Sequence, residues 1–441
     1  MRSGWMLPPL AISRWRALAI GVLLTVALVA GRHATTTATV RLRGSARSGW
    51  QSGLIVGQVA STFALAALAL VLATSLAGLL AVDPGFDPDD VLVARVFPDP
   101  AVYNDVPKRL AYFDELHERL ATLPGVTAVG AGSGLPLNAY NNTPSLRYGA
   151  AGQPLDEAGP EAVLTMATIG YFEALRIPLL DGRLFDRGDT LDGEQVIVVN
   201  EQFARSLWSD GDAVGKNVLI GFGGDRIMQV RVIGVVAGSR SDGLKRRPTP
   251  EAYRAHAQSP YVTMNVAVRA DRVNATLENA VRSEVAELDP TQPVHSITTM
   301  RELIGADVAT DRFALWLVGV LTTLALVLAG AGIYGVMSHA VRSRRHEIGV
   351  RKALGAARGH IAGSVLGRVM SCSAIGIVLG ITGAVIGRGL LDGFLFGVSA
   401  TEPRLLLAAG FLVAAAMALA TWLPARRAAR VEAAIALRAE G

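Results

Sequence analysis

Apolar positions along this chain come in two forms: long uninterrupted runs and short periodic sets. Leu54 to Val82 is 29 residues without a charge, and Phe313 to Val341 is another 29. Val369 to Ile386 is an apolar run of 18 residues and Leu405 to Leu423 one of 19. A hydrocarbon core needs about 20 apolar residues in a helix, within a range of roughly 17–25, so all four predict membrane spans. Ala17 to Gly31 is shorter, at 15 residues. It fits a signal-peptide core, a short span, or the last helix of an upstream membrane unit. The next apolar run begins too soon for a cleaved exported protein, which favours a span and makes five in all.

Between the second and third of these runs, Asp83 to Arg312 is patterned as a water-soluble domain. Val91 to Phe97 has strand composition. Val106, Leu110, Phe113, Leu116, Leu120 and Leu123 then recur at spacings of three and four, one face of a helix. Pro124-Gly125 ends that helix, and Val126 to Val129 starts a second strand. The order repeats near the end. Tyr261 to Val268 alternates as a strand, Leu277, Val281, Val285 and Leu288 line a helix, and Val294 to Ile297 forms the next strand. Two separated β-α-β units predict a split ferredoxin-like layer. The insert between them has its own elements. Ile169 to Leu175 and Glu201 to Trp208 read as helices, and Val196 to Asn200 and Gln229 to Val236 as strands. The fold class is therefore an α-helical membrane protein carrying a large α+β domain outside the cytoplasm.

Charge follows the same division. Residues 83–312 hold 22 Lys and Arg against 32 Asp and Glu, whereas the rest holds 20 against 5. The net charge of +5 and the pI near 9.5 thus hide an acidic outer domain and basic membrane flanks. Lys and Arg resist translocation, so Arg32–Trp50, the stretch after Val341 and the tail Ala425–Gly441 belong inside. This is topology, not the footprint of a nucleic-acid binder. The single cysteine, Cys372, excludes an intrachain disulfide and a thiolate metal cluster. In these terms residues 1–53 are an N-terminal segment with one short span and a basic loop, 54–82 a span, 83–312 the outer domain, 313–424 a three-span domain and 425–441 a cytoplasmic tail. The outer domain divides into halves 83–149 and 259–300 around an insert, 150–258.

The densest basic run lies between the spans that end at Val341 and begin at Val369. Arg342, Arg344, Arg345, Arg351, Lys352 and Arg358 fall within it, with Ile348, Val350, Leu354 and Ile361 among them. That composition suits a positive-inside loop, or a short amphipathic helix on the membrane surface or on a partner protein. In the span that follows, Gly376 and Gly380, and Gly383 and Gly387, stand four apart, a spacing that permits close helix packing.

The order of residues in the basic run, Arg344-Arg345-His346-Glu347-Ile348-Gly349-Val350-Arg351-Lys352-Ala353-Leu354-Gly355-Ala356, resembles the cytoplasmic signature of MacB- and FtsX-like ABC transporter permeases. The turn Val82-Asp83-Pro84-Gly85-Phe86 after a span resembles family members that carry two copies of the repeat. Gly170-Tyr171-Phe172, Val198-Val199-Asn200-Glu201 and Gly215-Lys216 also sit where the family places similar phrases. The resemblance covers about Ser52 to Gly441, with the first span extra, as in the back half of a duplicated permease. It departs from FtsX proper, whose outer domain is smaller.

The resemblance implies that the signature forms a coupling helix on a separate ABC ATPase subunit in a bacterial inner membrane. ATP and magnesium would be bound by that subunit and no cofactor by this chain. A second permease repeat, as a homodimer or an upstream half, and a periplasmic protein are the other partners implied. The function implied is efflux or export by movement of the outer domain. The alternative is a non-transport regulator acting on a periplasmic partner such as a cell-wall hydrolase. A receptor would carry a cytoplasmic signalling domain, and the inner segments are too short for one. The nearest string to a P-loop, Gly211 to Asn217, has one residue too few between its glycines and Asn where Ser or Thr should ligate magnesium. Gly130 to Gly134 follows a strand, but no long helix follows it. No catalytic residue is expected.

Overall fold

The structure is a computed structural model that describes residues 46–138, 144–152, 154–155, 159–222, 227–291, 294, 296–343, 358–391 and 395–429. In chain order the first elements are α1 (Ala46–Leu80), β1 (Val91–Val96), α2 (Val106–Ala121), β2 (Val126–Gly132), β3 (Ser145–Ala150), β4 (Glu161–Ala167) and α3 (Tyr171–Leu175). There follow β5 (Leu179–Gly182), β6 (Val196–Asn200), α4 (Glu201–Leu207), β7 (Asn217–Gly221), β8 (Ile227–Val236), β9 (Glu251–Ala255) and β10 (Met264–Ala270). The last are α5 (Ala275–Leu288), β11 (Ser296–Thr299), α6 (Met300–Asp307), α7 (Ala309–Ser343), α8 (Arg358–Leu391) and α9 (Pro403–Ala429). The chain divides into two compact units, Ala81–Thr310 and the segments on either side of it in sequence.

The helical unit contains four stretches long and apolar enough to cross a membrane: Gly53–Leu80, Ala309–Gly335, Met370–Gly389 and Pro403–Trp422. The fifth expected span, Ala17 to Gly31, lies outside the described residues. Val59, Phe63 and Ala66 of α1 meet Ala329 and Ile333 of α7 and Ala409, Val413 and Met417 of α9 in one buried cluster. Lipid tails are as apolar as leucine, so such helices are held by shape and by polar contacts more than by the hydrophobic effect. The polar contacts are present. Thr322 Oγ1 donates to Leu65 O across two helices at 3.1 Å, and Ser75 Oγ accepts from the Phe396 amide at 2.8 Å.

The outer unit has two lobes with separate cores. In the first, the strand order is β11-β1-β10-β2, antiparallel throughout, with Val91 opposite Arg269, Leu92 opposite Thr299 and Val266 opposite Ala131. The β1-α2-β2 and β10-α5-β11 units thus interleave as a split ferredoxin-like layer. Tyr112, Phe113, Leu116 and Leu120 of α2 and Val281 and Val285 of α5 cover one face of the sheet. Both helices have physical starts. Pro107 occupies the first turn of α2, where its missing N–H costs nothing, and Asn274 caps α5 by accepting from the Leu277 amide at 3.0 Å.

In the inserted lobe, β4-β3-β7-β8-β6-β9 form a ring that closes where β9 pairs parallel with β4. Its core is Leu146, Leu164, Ile197, Val199, Phe203, Val218, Ile220 and Val232. The insert begins earlier than the expected residue 150. Strand β3 pairs with β4 and β7 and buries Leu146 and Tyr148 in the inserted core, so residues 145–149 belong there. Other boundaries shift for local reasons. The helix expected from Ile169 starts at Tyr171, because Gly170 takes a left-handed φ of 86° and turns the chain. Strand β10 starts at Met264, where its pairing with β1 begins. In the sheet the lobes meet at a single residue pair, Gly132 opposite Ala167.

Candidate functional site

The signature residues Arg344, Arg345, Glu347, Ile348, Gly349, Arg351, Lys352, Ala353, Leu354, Gly355 and Ala356 lie outside the described residues. Helix α7 ends at Ser343 on one side of them and α8 begins at Arg358 on the other. The four glycines of α8 fall into two pairs. A Cβ on Gly376 would stand 2.8 Å from Val59 Cβ and 3.0 Å from Val56 O, and one on Gly380 would stand 2.5 Å from Phe63 Cδ1. Real Cβ atoms do not approach so closely, so α8 lies on α1 only because these positions lack side chains. Gly383 and Gly387 have nothing within 4 Å of a Cβ.

Helix α1 leads by sequence into the turn Val82 to Pro88, and that turn is a junction. Asp83 Oδ1 accepts from the Gly85 amide at 2.9 Å, and Gly85 has a φ of 81°. The Asp87 amide donates to Leu175 O at 2.9 Å. Asp87 Oδ2 pairs with Arg176 at 2.8 Å and Arg269 at 3.4 Å. Arg269 is buried, yet it donates to Asp87 O, Asp89 O and Ala174 O at 2.7–2.8 Å. Partial burial pushes the Asp87 carboxyl up, but the Asp89 amide and the two guanidiniums outweigh it and hold it below the usual range.

A second polar cluster was not visible in the sequence. Glu251 opens β9 and is buried, with no cation beside it among the described residues. Ser239 Oγ donates to its Oε2 at 3.1 Å and lies 2.9 Å from Ser241 Oγ, and the Tyr253 hydroxyl also donates to Oε2. Burial pushes the carboxyl up, and the hydroxyls of Ser241, Tyr253 and Ser239 only partly offset it. His256, past the end of β9, packs edge-on against Phe113 of the first lobe, with Nε2 3.2 Å from Tyr261 O. Burial drives it down to about 4, against the pull of that carbonyl and with the help of Arg109. No local signal marks these groups, because all five residues of β9 are buried and the strand does not alternate.

The glycine-containing strings have structural roles. Gly215 has a φ of 82°, its amide donates to Val232 O at 2.7 Å, and Lys216 lies over Trp208: a turn before β7. A Cβ on Gly130 or Gly132 would collide with Tyr171, so these glycines let α3 of the inserted lobe lie on β2 of the first. Among the described residues no group of three or more His, Cys, Asp and Glu is placed to hold a metal.

Four helices long and apolar enough to cross a membrane, with an interrupted ferredoxin-like unit between the first and second of them in sequence, define a multi-pass membrane protein. Comparison with known proteins gives the family. The sequence profile of the MacB-like periplasmic core domain matches residues 58–287, and that of the FtsX-like permease C-terminal domain matches residues 319–433. The chain belongs to the MacB-like permease family. It is 26% identical to the macrolide export ATP-binding/permease protein MacB of Chromobacterium violaceum, over 59% of this chain and 41% of that protein. It is 27% identical to the pyoverdine export ATP-binding/permease protein PvdT of Pseudomonas entomophila, over 60% and 41%. The chain thus spans about two fifths of the length of these curated relatives. Among solved structures, the periplasmic region of MacB from Actinobacillus actinomycetemcomitans is 16% identical, covering 51% of this chain and 95% of that one, with a TM-score of 0.34.

Proposed function

We propose that this chain is the membrane subunit of an ABC exporter in a bacterial inner membrane, driven by an ATPase carried on another chain. The observation that supports it most is the pairing of the two family matches, one across α1 and the outer unit and the other across α7 to α9. Both named relatives are exporters with an ATP-binding part, and their cargoes differ, so the shared element is ATP-coupled export. The signature residues 344–356 are the contact for the ATPase. The contact between α8, which follows the signature, and α1, which leads to the outer unit, gives the coupling a mechanical route through Gly376 and Gly380.

Glu347 tests the docking. It is the only acid between Arg312 and Asp392. Reversing it to Lys places like charges together if a basic patch of the ATPase meets it, which is costly at a docked site. In a free loop the change is nearly neutral, since exposed ion pairs are worth about 0–1 kcal/mol. The chain is co-purified with its ABC ATPase, as wild type, as Glu347→Lys and as Glu440→Lys. Loss of the ATPase with Glu347→Lys alone is the expected result; equal recovery in all three removes Glu347 from the interface.

A further inference from the structure

Connectivity alone would make the inserted lobe a passenger. The segment arriving from α1 enters β1, and the segment leaving for α7 follows β11. Both are first-lobe strands and neighbours in the sheet. The inserted lobe joins that sheet only at Gly132 and Ala167. Outside that sheet the incoming segment already touches the insert at Asp87, whose amide donates to Leu175 O and whose carboxylate pairs with Arg176, but among the described residues the outgoing segment has no such contact there.

Residues 238–246, between β8 and β9 of the inserted lobe, provide a direct connection. At one end they hold the incoming segment. The Arg240 amide donates to Pro84 O at 3.0 Å, its Nε to Asp83 O at 3.4 Å, and Gly85 lies so close to Gly238 O that a side chain would not fit. At the other end they hold the outgoing segment. The Leu244 amide donates to Asp307 Oδ2 at 3.0 Å, and Gly243, with a φ of 95°, would place a Cβ 2.9 Å from Asp307 Oδ1. Asp307 is the last residue of α6, two before α7 begins. The middle is fixed to the inserted lobe itself by Ser239 and Ser241 on the buried Glu251. The stretch is also stiffened internally, since Arg240 Nη1 donates to Leu244 O and Arg246 O. Ser239 and Leu244 are buried although the stretch has no regular secondary structure. Irregular backbone is normally a mobile surface feature; here each end and the middle are hydrogen-bonded to a different part of the unit.

We infer that residues 238–246 are a strap that positions the inserted lobe directly on the two segments running to the spans, with Arg240 and Asp307 as its positioning residues. A movement of either segment then shifts the inserted lobe against the first. The inference rests on the ATP-coupled reading above, and its test separates the two.

Spin labels are placed at Lys108→Cys in the first lobe and Asp210→Cys in the insert, in a Cys372→Ser background, both sites being exposed. The labelled chain is assembled with its ATPase in lipid nanodiscs. The distance between labels is measured by double electron–electron resonance without nucleotide and with ATP and vanadate. The parent is expected to show a nucleotide-dependent shift. Asp307→Ala should lose it, and Asp307→Asn, whose side-chain oxygen still accepts from the Leu244 amide, should restore it. Ser239→Ala with Ser241→Ala cuts the other attachment and should lose the shift too, which decides the matter if Asp307→Ala fails to fold. A shift kept in the Ala variants, or lost in Asp307→Asn, overturns the strap while leaving the exporter reading intact. A parent with no shift at all overturns the exporter reading, and the strap with it.

Discussion

Among the charged side chains buried in the outer unit, Arg269, Arg254 and Glu251 are each treated differently. Arg269 is given a carboxylate and three carbonyls, Arg254 only the side-chain oxygen of Gln195, and Glu251 only hydroxyl donors. A buried carboxylate without a cation prefers to stay protonated, so Glu251 favours the folded state most where it is neutral. Its folded pKa is raised, so its contribution is present in acid and is lost as pH rises through the raised value. His256 runs the other way. Its folded pKa of about 4 lies below the ordinary 6.5, so its contribution is full above 6.5 and is lost as pH falls towards 4. At 1.36 kcal/mol per unit that is on the order of 3 kcal/mol. The expected outcome is two pH-dependent losses of opposite sign, each removable by one substitution. His256→Gln should remove the loss on acidification and Glu251→Gln the loss on rising pH, read from the thermal midpoint of the full chain in detergent between pH 4 and 9. An acid limb unchanged in His256→Gln would assign it to other groups.

Individual elements differ in how far their residues announced them. Val91 to Phe97 was legible by its β-branched composition, although β1 is buried at five of its six positions, and the Leu-lined face of α2 by its spacing of three and four. Strands β9 and β5 were not. Every residue of β9, Glu251 and Arg254 included, is buried, and every residue of β5 is exposed, so neither shows a period. Gly130 and Gly132 were legible as unusual but not as a docking surface, because Tyr171 lies some 40 residues further along the chain. The same limit applied to Gly376, Gly380, Gly383 and Gly387. Their spacing marked a helix suited to close packing, but only the fold distinguishes the pair against α1 from the pair that meets nothing. That difference is measurable. Gly380→Leu must displace Phe63 or separate two helix backbones, and overpacking of this kind costs about 1–3 kcal/mol. Gly383→Leu meets open space within the helical unit and should leave it unchanged. Unfolding of the purified chain in a mixed detergent series, with the ABC ATPase absent, compares them. Equal stability of the two variants would mean that the contact between α1 and α8 does not hold the helices together.

At the scale of the whole molecule the four described helices of spanning length were the most legible feature, because hydropathy acts over tens of residues and needs no tertiary detail. Four described helices of spanning length give the chain an even number of crossings from Ala46 onwards. The basic residues then fall consistently on one side. Arg41, Arg43 and Arg47 precede α1 or open it, Arg342 to Arg358 run from the end of α7 to the start of α8, and Arg426, Arg427 and Arg430 lie at or beyond the end of α9. The acidic outer unit and the short stretch between α8 and α9 fall on the other. Any inversion would carry a dozen cations across and leave the acidic unit inside, which the preference of Lys and Arg for the cytoplasm opposes. The topology is tested with single cysteines in a Cys372→Ser background, one at Asp181 in β5 and one at Ser343 at the end of α7. A membrane-impermeant maleimide added to intact spheroplasts should label Asp181→Cys and reach Ser343→Cys only after lysis. The reverse pattern would invert the protein and put the signature stretch beyond reach of any cytoplasmic ATPase. Labelling of both before lysis would mean that α7 does not cross, and would remove the sidedness on which the docking of Glu347 depends.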